Sequence, residues 1–309
     1  MPLKPKFWDK KQFSIISYLL LPVSYLYLCF FLFKKKITKE HLSSIPILCV
    51  GNIYLGGMGK TSVCIELSLI LKNLGKKSCF IQKNYDFLVD ENKLLSKIAP
   101  VFSSSKRLEA IKSAQKEQFD VAIMDDGFQD FSIKKKFSFL CFGEKQWVGN
   151  GRLIPAGPLR ENLKEGINRS NCILIKGKKN NLIENEIGKI NNTIDIFYFD
   201  YESINIKNYL NNPIIAFAGI GDPGNFFELL KKNNINTVAN FSFPDHHNYS
   251  DDEINRLIDK AKENNAILLT TEKDFLRIKE EFHDKISFLE IKLIIQEKNK
   301  LVDKIKKLI

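Results

Sequence analysis

The sequence predicts an α/β protein in which helices flank a parallel sheet and a second, smaller α/β domain follows. Apolar runs of strand length alternate with amphipathic runs of helical length along most of the 309 residues. A glycine-rich turn joins the first such strand to the helix after it, as expected of a parallel sheet with helical crossovers. Before both lies a run without charge, Gln12 to Phe33, which predicts an N-terminal membrane helix.

Three segments are expected along the chain. Residues 1–36 form the membrane-associated N-terminal helix, and residues 37–193 form the domain that contains the glycine-rich turn. Residues 194–309 form the second α/β domain. The boundary is placed after the Asn- and Lys-rich stretch from Lys178 to Asn192, because that stretch has few apolar residues.

The charge balance limits the classes of partner. Lys and Arg number 47 against 36 Asp and Glu, which gives a net charge of +11. Such an excess suits nucleic acid, an anionic membrane or a phosphorylated substrate. The lysines are spread along the chain without an aromatic-basic cluster, so we expect no nucleic acid. The six cysteines form no C-x-x-C pair, which favours reduced thiols in a cytoplasmic protein. We expect the protein to be a monomer.

The charge-free run has the length of a membrane helix. At about 1.5 Å per residue, Gln12 to Phe33 would extend roughly 33 Å, enough to cross a hydrocarbon core. Pro22 in its middle argues against one straight span. Lysines lie on both sides of the run, so charge does not set an orientation. We expect a kinked helix or helical pair embedded in the inner leaflet, with lysines on lipid phosphates. The alternative is that this run crosses the whole membrane.

The glycine-rich turn is the strongest functional signal. The strand from Ile47 to Val50 leads into it, and a helical pattern begins at Lys60. Glycines allow several backbone N–H groups to converge on one anion at a helix start. Lys60 would reach the β- and γ-phosphates, and the Thr61 hydroxyl would bind Mg²⁺. The turn therefore predicts a P-loop that binds a nucleoside triphosphate, although a tyrosine occupies the place of the first glycine. The predicted nucleotide-binding residues are Tyr54, Leu55, Gly56, Gly57, Met58, Gly59, Lys60 and Thr61.

A second apolar strand, Phe119 to Met124, ends in two carboxylates, Asp125 and Asp126. In P-loop proteins, an aspartate at a strand end holds Mg²⁺ directly or through water. Asp-Asp-Gly is also a sequence that commonly forms a tight turn, so a simple turn at the end of the strand is the alternative. The P-loop upstream favours the metal-binding interpretation.

A loop rich in glycine and proline follows the next strand, from Gly149 to Glu161. Long ordered loops often carry function. Arg152 and Arg160 offer guanidinium groups, which clamp phosphate through two parallel hydrogen bonds. The loop therefore predicts a phosphate-binding segment.

Six motifs occur in order along the chain. They are Gly-Asn-Ile-Tyr-Leu-Gly-Gly-Met-Gly-Lys-Thr at 51–61, Asp-Asp-Gly-Phe-Gln at 125–129, Gly-Asn-Gly-Arg-Leu-Ile-Pro-Ala-Gly-Pro-Leu-Arg-Glu at 149–161, Ala-Phe-Ala-Gly-Ile-Gly-Asp-Pro at 216–223, Phe-Pro-Asp-His at 243–246 and Thr-Thr-Glu-Lys-Asp at 270–274. The set resembles the tetraacyldisaccharide 4'-kinase family, the lipid A 4'-kinases of Gram-negative bacteria. The resemblance runs from about Ile47 to Arg277, and the apolar N-terminus is similar too.

The resemblance implies an ATP-dependent lipid kinase at the cytoplasmic face of the inner membrane. The γ-phosphate would move to the 4'-hydroxyl of tetraacyldisaccharide 1-phosphate, giving the 1,4'-bisphosphate, lipid IVA. ATP and Mg²⁺ are the implied cofactors, and the lipid A precursor and inner-membrane lipids are the implied partners. Residues 37–193 would be a P-loop kinase domain, and the second domain would contribute a histidine.

The resemblance also implies roles for individual residues. Lys60, Asp126 and His246 would be catalytic, with His246 supporting the catalytic base. A histidine at that place could also simply cap the following helix. Thr61, Asp125 and Asp126 would hold the metal, and the lipid head group would be contacted by Arg107, Arg152, Arg160 and Glu161.

Three departures separate this sequence from the family pattern. Lys83-Asn84-Tyr85 replaces Arg-Gly-Tyr, and Asp130 stands where the family has a histidine. Lys106 aligns with the aspartate that serves the family as general base, and a protonated lysine cannot accept the hydroxyl proton. The acidic residues that could take this part are Asp86, Asp90, Glu91 and Glu109.

These departures leave three functional hypotheses. The first is an active but divergent kinase whose base is relocated or dispensable. The second is a non-catalytic relative that binds ATP or lipid after losing the base. The third is a membrane P-loop switch NTPase that acts through a protein partner.

Overall fold

The computed structural model describes residues 5–9, 14–84 and 89–309. The strands are β1 (Ile47–Gly51), β2 (Ser78–Lys83), β3 (Val101–Ser104), β4 (Val121–Asp125), β5 (Phe137–Gly143), β6 (Cys172–Lys176), β7 (Asp195–Ser203), β8 (Ile214–Ala218), β9 (Thr237–Ser242), β10 (Ile267–Thr271), β11 (Ser287–Leu289) and β12 (Ile291–Ile295). The helices are α1 (Ile15–Leu19), α2 (Leu21–Ile37), α3 (Lys60–Asn73), α4 (Val89–Ser96), α5 (Arg107–Gln115), α6 (Leu163–Arg169), α7 (Asn181–Ile190), α8 (Pro223–Lys232), α9 (Asp251–Glu263), α10 (Glu272–Phe275) and α11 (Lys298–Lys306). Gln12, Tyr85 and Asp86, named above, lie outside the described residues.

The described strands form two sheets. The large sheet has eight strands in the order β12-β7-β6-β5-β1-β4-β2-β3, and its pairings from β7 to β3 are parallel. The smaller sheet has four parallel strands in the order β11-β10-β8-β9. Parallel neighbours need crossover connections, which the intervening helices supply. The predicted α/β fold with a large parallel sheet is confirmed.

The centre of the large sheet positions the predicted phosphate-binding turn and the predicted metal-binding turn. All residues of β1 and β4 are buried, as expected of strands covered on both faces. Val50 of β1 pairs with Asp125 of β4 in parallel register. The glycine-rich turn after β1 and the Asp125-Asp126 turn after β4 therefore emerge at the same edge of the sheet. All six cysteines are free thiols, and five of them are buried.

The described residues divide into two compact units. The P-loop unit comprises residues 5–9, 14–84, 95–200 and 293–309. The smaller unit comprises residues 89–94 and 201–292. This division differs from the boundary expected after residue 193, because the last segment of the chain returns to the first unit.

Strand pairing and ion pairs hold that last segment in the P-loop unit. β12 lies beside β7 at the edge of the large sheet, and Leu301 of α11 is fully buried. Lys298 pairs with Glu66 of α3, and Lys304 pairs with Asp195 of β7. These contacts join residues far apart in sequence, which local composition does not reveal.

The N-terminal run forms the predicted helical pair. α1 ends at Leu19 and α2 begins at Leu21, with Pro22 in the first turn of α2, where a missing N–H leaves no hydrogen bond unmade. Among the helices that the structure describes, none is both long and apolar enough to span a membrane. Large apolar side chains of this pair are exposed, namely Ile15, Leu19, Leu26, Phe30 and Phe33.

The polar stretch before the predicted boundary is a helix. α7 occupies most of Lys178 to Asn192, and the Asn180 side chain caps it by accepting from the backbone N–H groups of Leu182 and Ile183. Ile183 and Ile187, four residues apart, are its buried face. Two apolar residues at the helical spacing are enough to pack α7 against the protein, because the rest of the helix faces solvent.

Replacing Gly51 with alanine tests the close approach of β1 to the turn after β4. A Cβ at Gly51 would lie 2.4 Å from the Cβ of Phe128, so one of the two segments must move. Overpacking of this kind costs about 1–3 kcal/mol, and we expect Gly51→Ala to lower the urea midpoint of unfolding accordingly.

Gly188→Ala is the matched control, because a Cβ at this site in α7 meets nothing within 4 Å. Alanine is favoured over glycine in a helix by roughly 0.5–1 kcal/mol, so this variant should unfold at higher urea. A Gly51→Ala protein as stable as the wild type would contradict the packing described.

Candidate active site

The P-loop curls between β1 and α3. Gly59 precedes α3 with a φ of +76°, and Gly56 has a φ of +146°. Both values lie where a side chain would be strained, so the turn requires glycine there. The first N–H groups of α3 have no partner within the helix and are available to an anion. This is the phosphate-binding geometry that the sequence predicted.

A buried asparagine sets the shape of this loop. Asn52 is fully buried, and its Nδ2 donates to the carbonyl oxygens of Tyr54 at 2.6 Å and Gly56 at 3.1 Å. The Gln129 amide in turn donates to the Asn52 carbonyl at 2.8 Å. Neither Asn52 nor Gln129 was assigned a role from the sequence, although both lie inside the quoted motifs.

Tyr54, predicted to bind nucleotide, has its side chain engaged within the protein. Its ring is buried and its hydroxyl donates to Asp9, so the side chain is held beneath the loop. Burial raises the pKa of this hydroxyl, which therefore stays protonated. The tyrosine at the place of the first motif glycine is accommodated because its side chain points into the protein.

The predicted metal-binding residues come together at the edge of the sheet. The Thr61 hydroxyl donates to Oδ2 of Asp125 at 3.1 Å, and the Gln82 amide donates to the same oxygen at 3.3 Å. Mg²⁺ prefers oxygen ligands and is usually held by one or two carboxylates together with substrate phosphates. A hydroxyl and a buried carboxylate at the P-loop fit that preference.

Asp126 faces two cations. Lys60 Nζ lies 3.7 Å and Arg160 Nη1 lies 3.0 Å from its Oδ1. Burial alone would raise the pKa of this carboxyl, but the charges of Lys60 and Arg160 outweigh it and lower the pKa to about 2. The carboxylate is therefore ionised at neutral pH, and the two cations converge at the point where a polyphosphate would need them.

Arg107, predicted to contact substrate, holds the turn that carries these carboxylates. Its Nη2 donates to the carbonyl oxygens of Asp125 at 3.3 Å and Asp126 at 2.9 Å. Its Nη1 pairs with Asp130 at 3.4 Å. This pairing explains the departure at Asp130, since a carboxylate there fixes the guanidinium. The contacts make Arg107 a residue that positions Asp126.

The loop from Gly149 to Glu161 docks on the P-loop by main-chain hydrogen bonds. The Leu55 N–H donates to the Pro158 carbonyl at 2.8 Å, and the Arg160 N–H donates to the Ile53 carbonyl at 2.7 Å. This pairing carries the Arg160 guanidinium to Asp126. Proximity of the two motifs was not evident from their sequence positions.

Glu161 was also predicted to contact substrate, and its surroundings differ from that expectation. Only 2% of the residue is exposed, and both carboxylate oxygens accept from Arg169 Nη2, at 2.7 and 2.6 Å. Gln129 donates to the same carboxylate at 3.0 Å. Glu161 thus orients Gln129, whose side-chain oxygen accepts from Arg160 at 3.3 Å.

Arg152 binds the N-terminal helices. Its Nη1 donates to the Ser17 hydroxyl at 2.9 Å, and its guanidinium lies 3.7 Å from the centre of the Tyr18 ring. This cation–π contact and hydrogen bond fix α1 on the loop. The predicted contact of Arg152 with a lipid head group stays a prediction.

His246 lies in the smaller unit, in the turn before α9. Its φ of +57° is unusual for a residue with a side chain. Its N–H donates to the Gly219 carbonyl at 3.1 Å, and Arg277 Nη2 lies 3.3 Å from its Nδ1. Strained backbone of this kind gathers at functional sites, which is in keeping with a role for this histidine. Arg277 and its partner Asp274 were given no role from the sequence, although Asp274 ends a quoted motif.

Comparison with known proteins places this architecture in a family. The model of the tetraacyldisaccharide-1-P 4'-kinase family matches residues 16–88 and 84–309. The tetraacyldisaccharide 4'-kinase of Pelagibacter ubique (strain HTCC1062) is 40% identical over 99% of this chain and 98% of its own length. That of Rickettsia canadensis (strain McKiel) is 33% identical over 98% and 96%.

A solved structure agrees with these relatives. LpxK from Aquifex aeolicus in complex with ATP superposes with a TM-score of 0.74 at 26% sequence identity, over 95% of this chain and 99% of that one. With the P-loop, the paired aspartates and the docked arginine loop in place, this chain belongs to the tetraacyldisaccharide-1-phosphate 4'-kinase family.

Proposed function

We propose that this protein transfers the γ-phosphate of ATP to the 4'-hydroxyl of tetraacyldisaccharide 1-phosphate, giving the 1,4'-bisphosphate, lipid IVA. The observation that carries this proposal is the convergence of Lys60 and Arg160 on Asp126 beside the Thr61–Asp125 pair. Two relatives that match this chain over nearly their whole length are named as tetraacyldisaccharide 4'-kinases.

Phosphoryl transfer depends on positioning and on neutralising charge more than on covalent chemistry. The N–H groups at the start of α3 and the Lys60 ammonium would bind the phosphates, and Arg160 would add a second positive charge. Thr61, Asp125 and Asp126 would hold Mg²⁺, which neutralises the phosphate oxygens when bound. Asp126 keeps both cations in place until the nucleotide arrives.

Asp90, one of the acidic residues named from the sequence, is proposed as the first candidate for the residue that accepts the hydroxyl proton. Residues 89–94 of α4 belong to the smaller unit, as His246 does, whereas Lys106 belongs to the P-loop unit. Glu91, next along α4, is already paired with Lys273 at 2.6 Å.

The N-terminal helices are proposed to hold the protein on the cytoplasmic face of the inner membrane. Leu19 and Leu26 are 74% and 71% exposed, and Lys34, Lys35 and Lys36 follow at the end of α2. An apolar face flanked by lysines is typical of a helix that lies in the headgroup region of an anionic membrane. The lipid substrate would then be reached from within the bilayer surface.

A kinase assay tests the proposed reaction. Purified protein in detergent, labelled ATP, Mg²⁺ and tetraacyldisaccharide 1-phosphate should yield labelled lipid. Lys60→Ala should abolish it, because the P-loop loses the ammonium group proposed to bind the phosphates. Asp90→Asn should lower kcat by about 10²–10⁴-fold, the usual contribution of a positioned base.

Lys106→Ala is the control for the position of the base, and it should keep kcat near that of the wild type. A loss of tenfold or more in Lys106→Ala, with Asp90→Asn unaffected, would contradict the assignment on α4. Nucleotide binding without labelled lipid would identify a non-catalytic relative. Hydrolysis that needs a protein partner instead of lipid would identify a switch NTPase.

Flotation with vesicles of phosphatidylethanolamine and phosphatidylglycerol tests the membrane proposal. Each exposed leucine that enters the bilayer contributes about 1.5–3 kcal/mol, so Leu19→Ser and Leu26→Ser should each weaken binding by about tenfold or more.

The matched control is Leu182→Ser, which changes an equally exposed leucine on α7. It should bind vesicles like the wild type. Equal binding by all three variants would contradict attachment through α1 and α2.

A further inference from the structure

A buried carboxylate organises the loops around His246. Asp274 is fully buried, and its Oδ2 accepts from the Gly219 N–H at 3.1 Å and the Thr271 hydroxyl at 2.7 Å. Its Oδ1 accepts from the Tyr249 hydroxyl at 2.9 Å and from Arg277 Nη1 at 3.0 Å. The segments that contain Gly219 and Tyr249 are therefore both tied to the 271–277 segment by one side chain.

The packing in this cluster leaves little freedom. A Cβ at Gly219 would lie 2.8 Å from the Tyr249 hydroxyl oxygen and 3.1 Å from Asp274 Oδ1. Burial raises the pKa of the Tyr249 hydroxyl, which therefore stays protonated and donates to Asp274. The cluster holds the Asp274 carboxylate, and hence its partner Arg277, in one position.

Arg277 reaches His246 from this cluster. Its Nη1 donates to Asp274 and to the Gly219 carbonyl at 2.7 Å, while its Nη2 lies 3.3 Å from Nδ1 of His246. The His246 N–H donates to the same Gly219 carbonyl. Arg277 and Gly219 thus fix the ring and the main chain of the histidine, and Nε2 of the ring lies 3.8 Å from Oδ1 of Asp245.

The chemistry of the guanidinium decides the protonation of the ring. Arginine has five N–H donors and no acceptor, so Nδ1 of His246 must accept. An imidazole that accepts at Nδ1 carries its proton on Nε2. If His246 itself were the proton acceptor at Nε2, its Nδ1 would carry hydrogen and two donors would face each other.

We propose that Arg277, held by Asp274, fixes His246 as the neutral imidazole with its proton on Nε2, so that this histidine donates a hydrogen bond during catalysis and does not accept the substrate proton. Arg277 and Asp274 are positioning residues in this scheme. The catalytic consequence rests on the proposed kinase function. The assignment of the tautomer does not depend on that function.

Nitrogen NMR of the full-length, histidine-labelled protein in detergent reads the tautomer directly. In the wild type, Nδ1 of His246 should resonate as an unprotonated nitrogen and Nε2 as a protonated one. Arg277→Gln should introduce the opposite tautomer, and Arg277→Lys, which keeps a charged donor, should largely preserve the original. His247, whose Nε2 lies 3.1 Å from Glu253, is an internal control that should not change.

Kinase activity gives the second readout. Arg277→Gln should lower kcat by about 10- to 100-fold, as expected when a catalytic group is misplaced, and should leave the KM for ATP unchanged. Arg277→Lys should recover most of the loss. In a His246→Gln background, where an amide donor has no alternative tautomer, Arg277→Gln should have a much smaller effect on kcat.

The proposal is overturned by a proton on Nδ1 in the wild type, or by an Arg277→Gln protein with the tautomer and kcat of the wild type. Equal losses from Arg277→Gln in the two backgrounds would overturn it as well, since they would indicate a purely structural role. A wild-type protein without kinase activity but with Nδ1 unprotonated would overturn the proposed function and leave the assignment of the tautomer standing.

Discussion

Lys60 and Arg160, which are far apart in the sequence, both face the Asp126 carboxylate. Lys60 Nζ lies 3.7 Å and Arg160 Nη1 lies 3.0 Å from its Oδ1. Lys60 begins α3, Asp126 follows β4, and Arg160 lies in the long glycine- and proline-rich loop. Each of the three segments is placed by its own contacts, and they meet at this one carboxylate. The carboxylate offsets the repulsion between the two cations and holds both of them beside the P-loop, which prepares the site for a polyphosphate.

The same long loop joins this ion cluster to the N-terminal helices. Tyr27 of α2 donates to the Arg160 carbonyl at 2.8 Å, and the Ser24 hydroxyl donates to the Leu153 carbonyl at 2.9 Å. Trp8 donates to the Pro155 carbonyl at 3.0 Å. A lipid kinase must bring a membrane-held hydroxyl to soluble ATP, and here the proposed membrane contact and the cation at the P-loop are parts of one hydrogen-bonded segment.

The sequence predicted the features that local patterns determine. The strand, glycine turn and helix around Lys60 follow from apolar spacing and from the need for positive φ, and Pro22 marks the break between α1 and α2. The partners of charged side chains escaped prediction, because no local pattern reveals that Glu161 pairs with Arg169. The pairing of β12 with β7 and the hydrogen bond between Asp274 and Gly219 were also not predicted, because they join residues far apart in the sequence. The helix α7 could have been recognised from its Asn cap and its two isoleucines, whereas the partners of charged side chains could not.

The coupling between Asp126 and Arg160 is the most direct test of this account. Unfolding free energies of Asp126→Asn, Arg160→Met and the double variant, measured by urea without nucleotide, form a double-mutant cycle. The account predicts that the double variant loses less than the sum of the single losses, by about 0.5–3 kcal/mol, as found for residues in contact. Losses that add to within about 0.3–0.5 kcal/mol, the behaviour of independent sites, would contradict it.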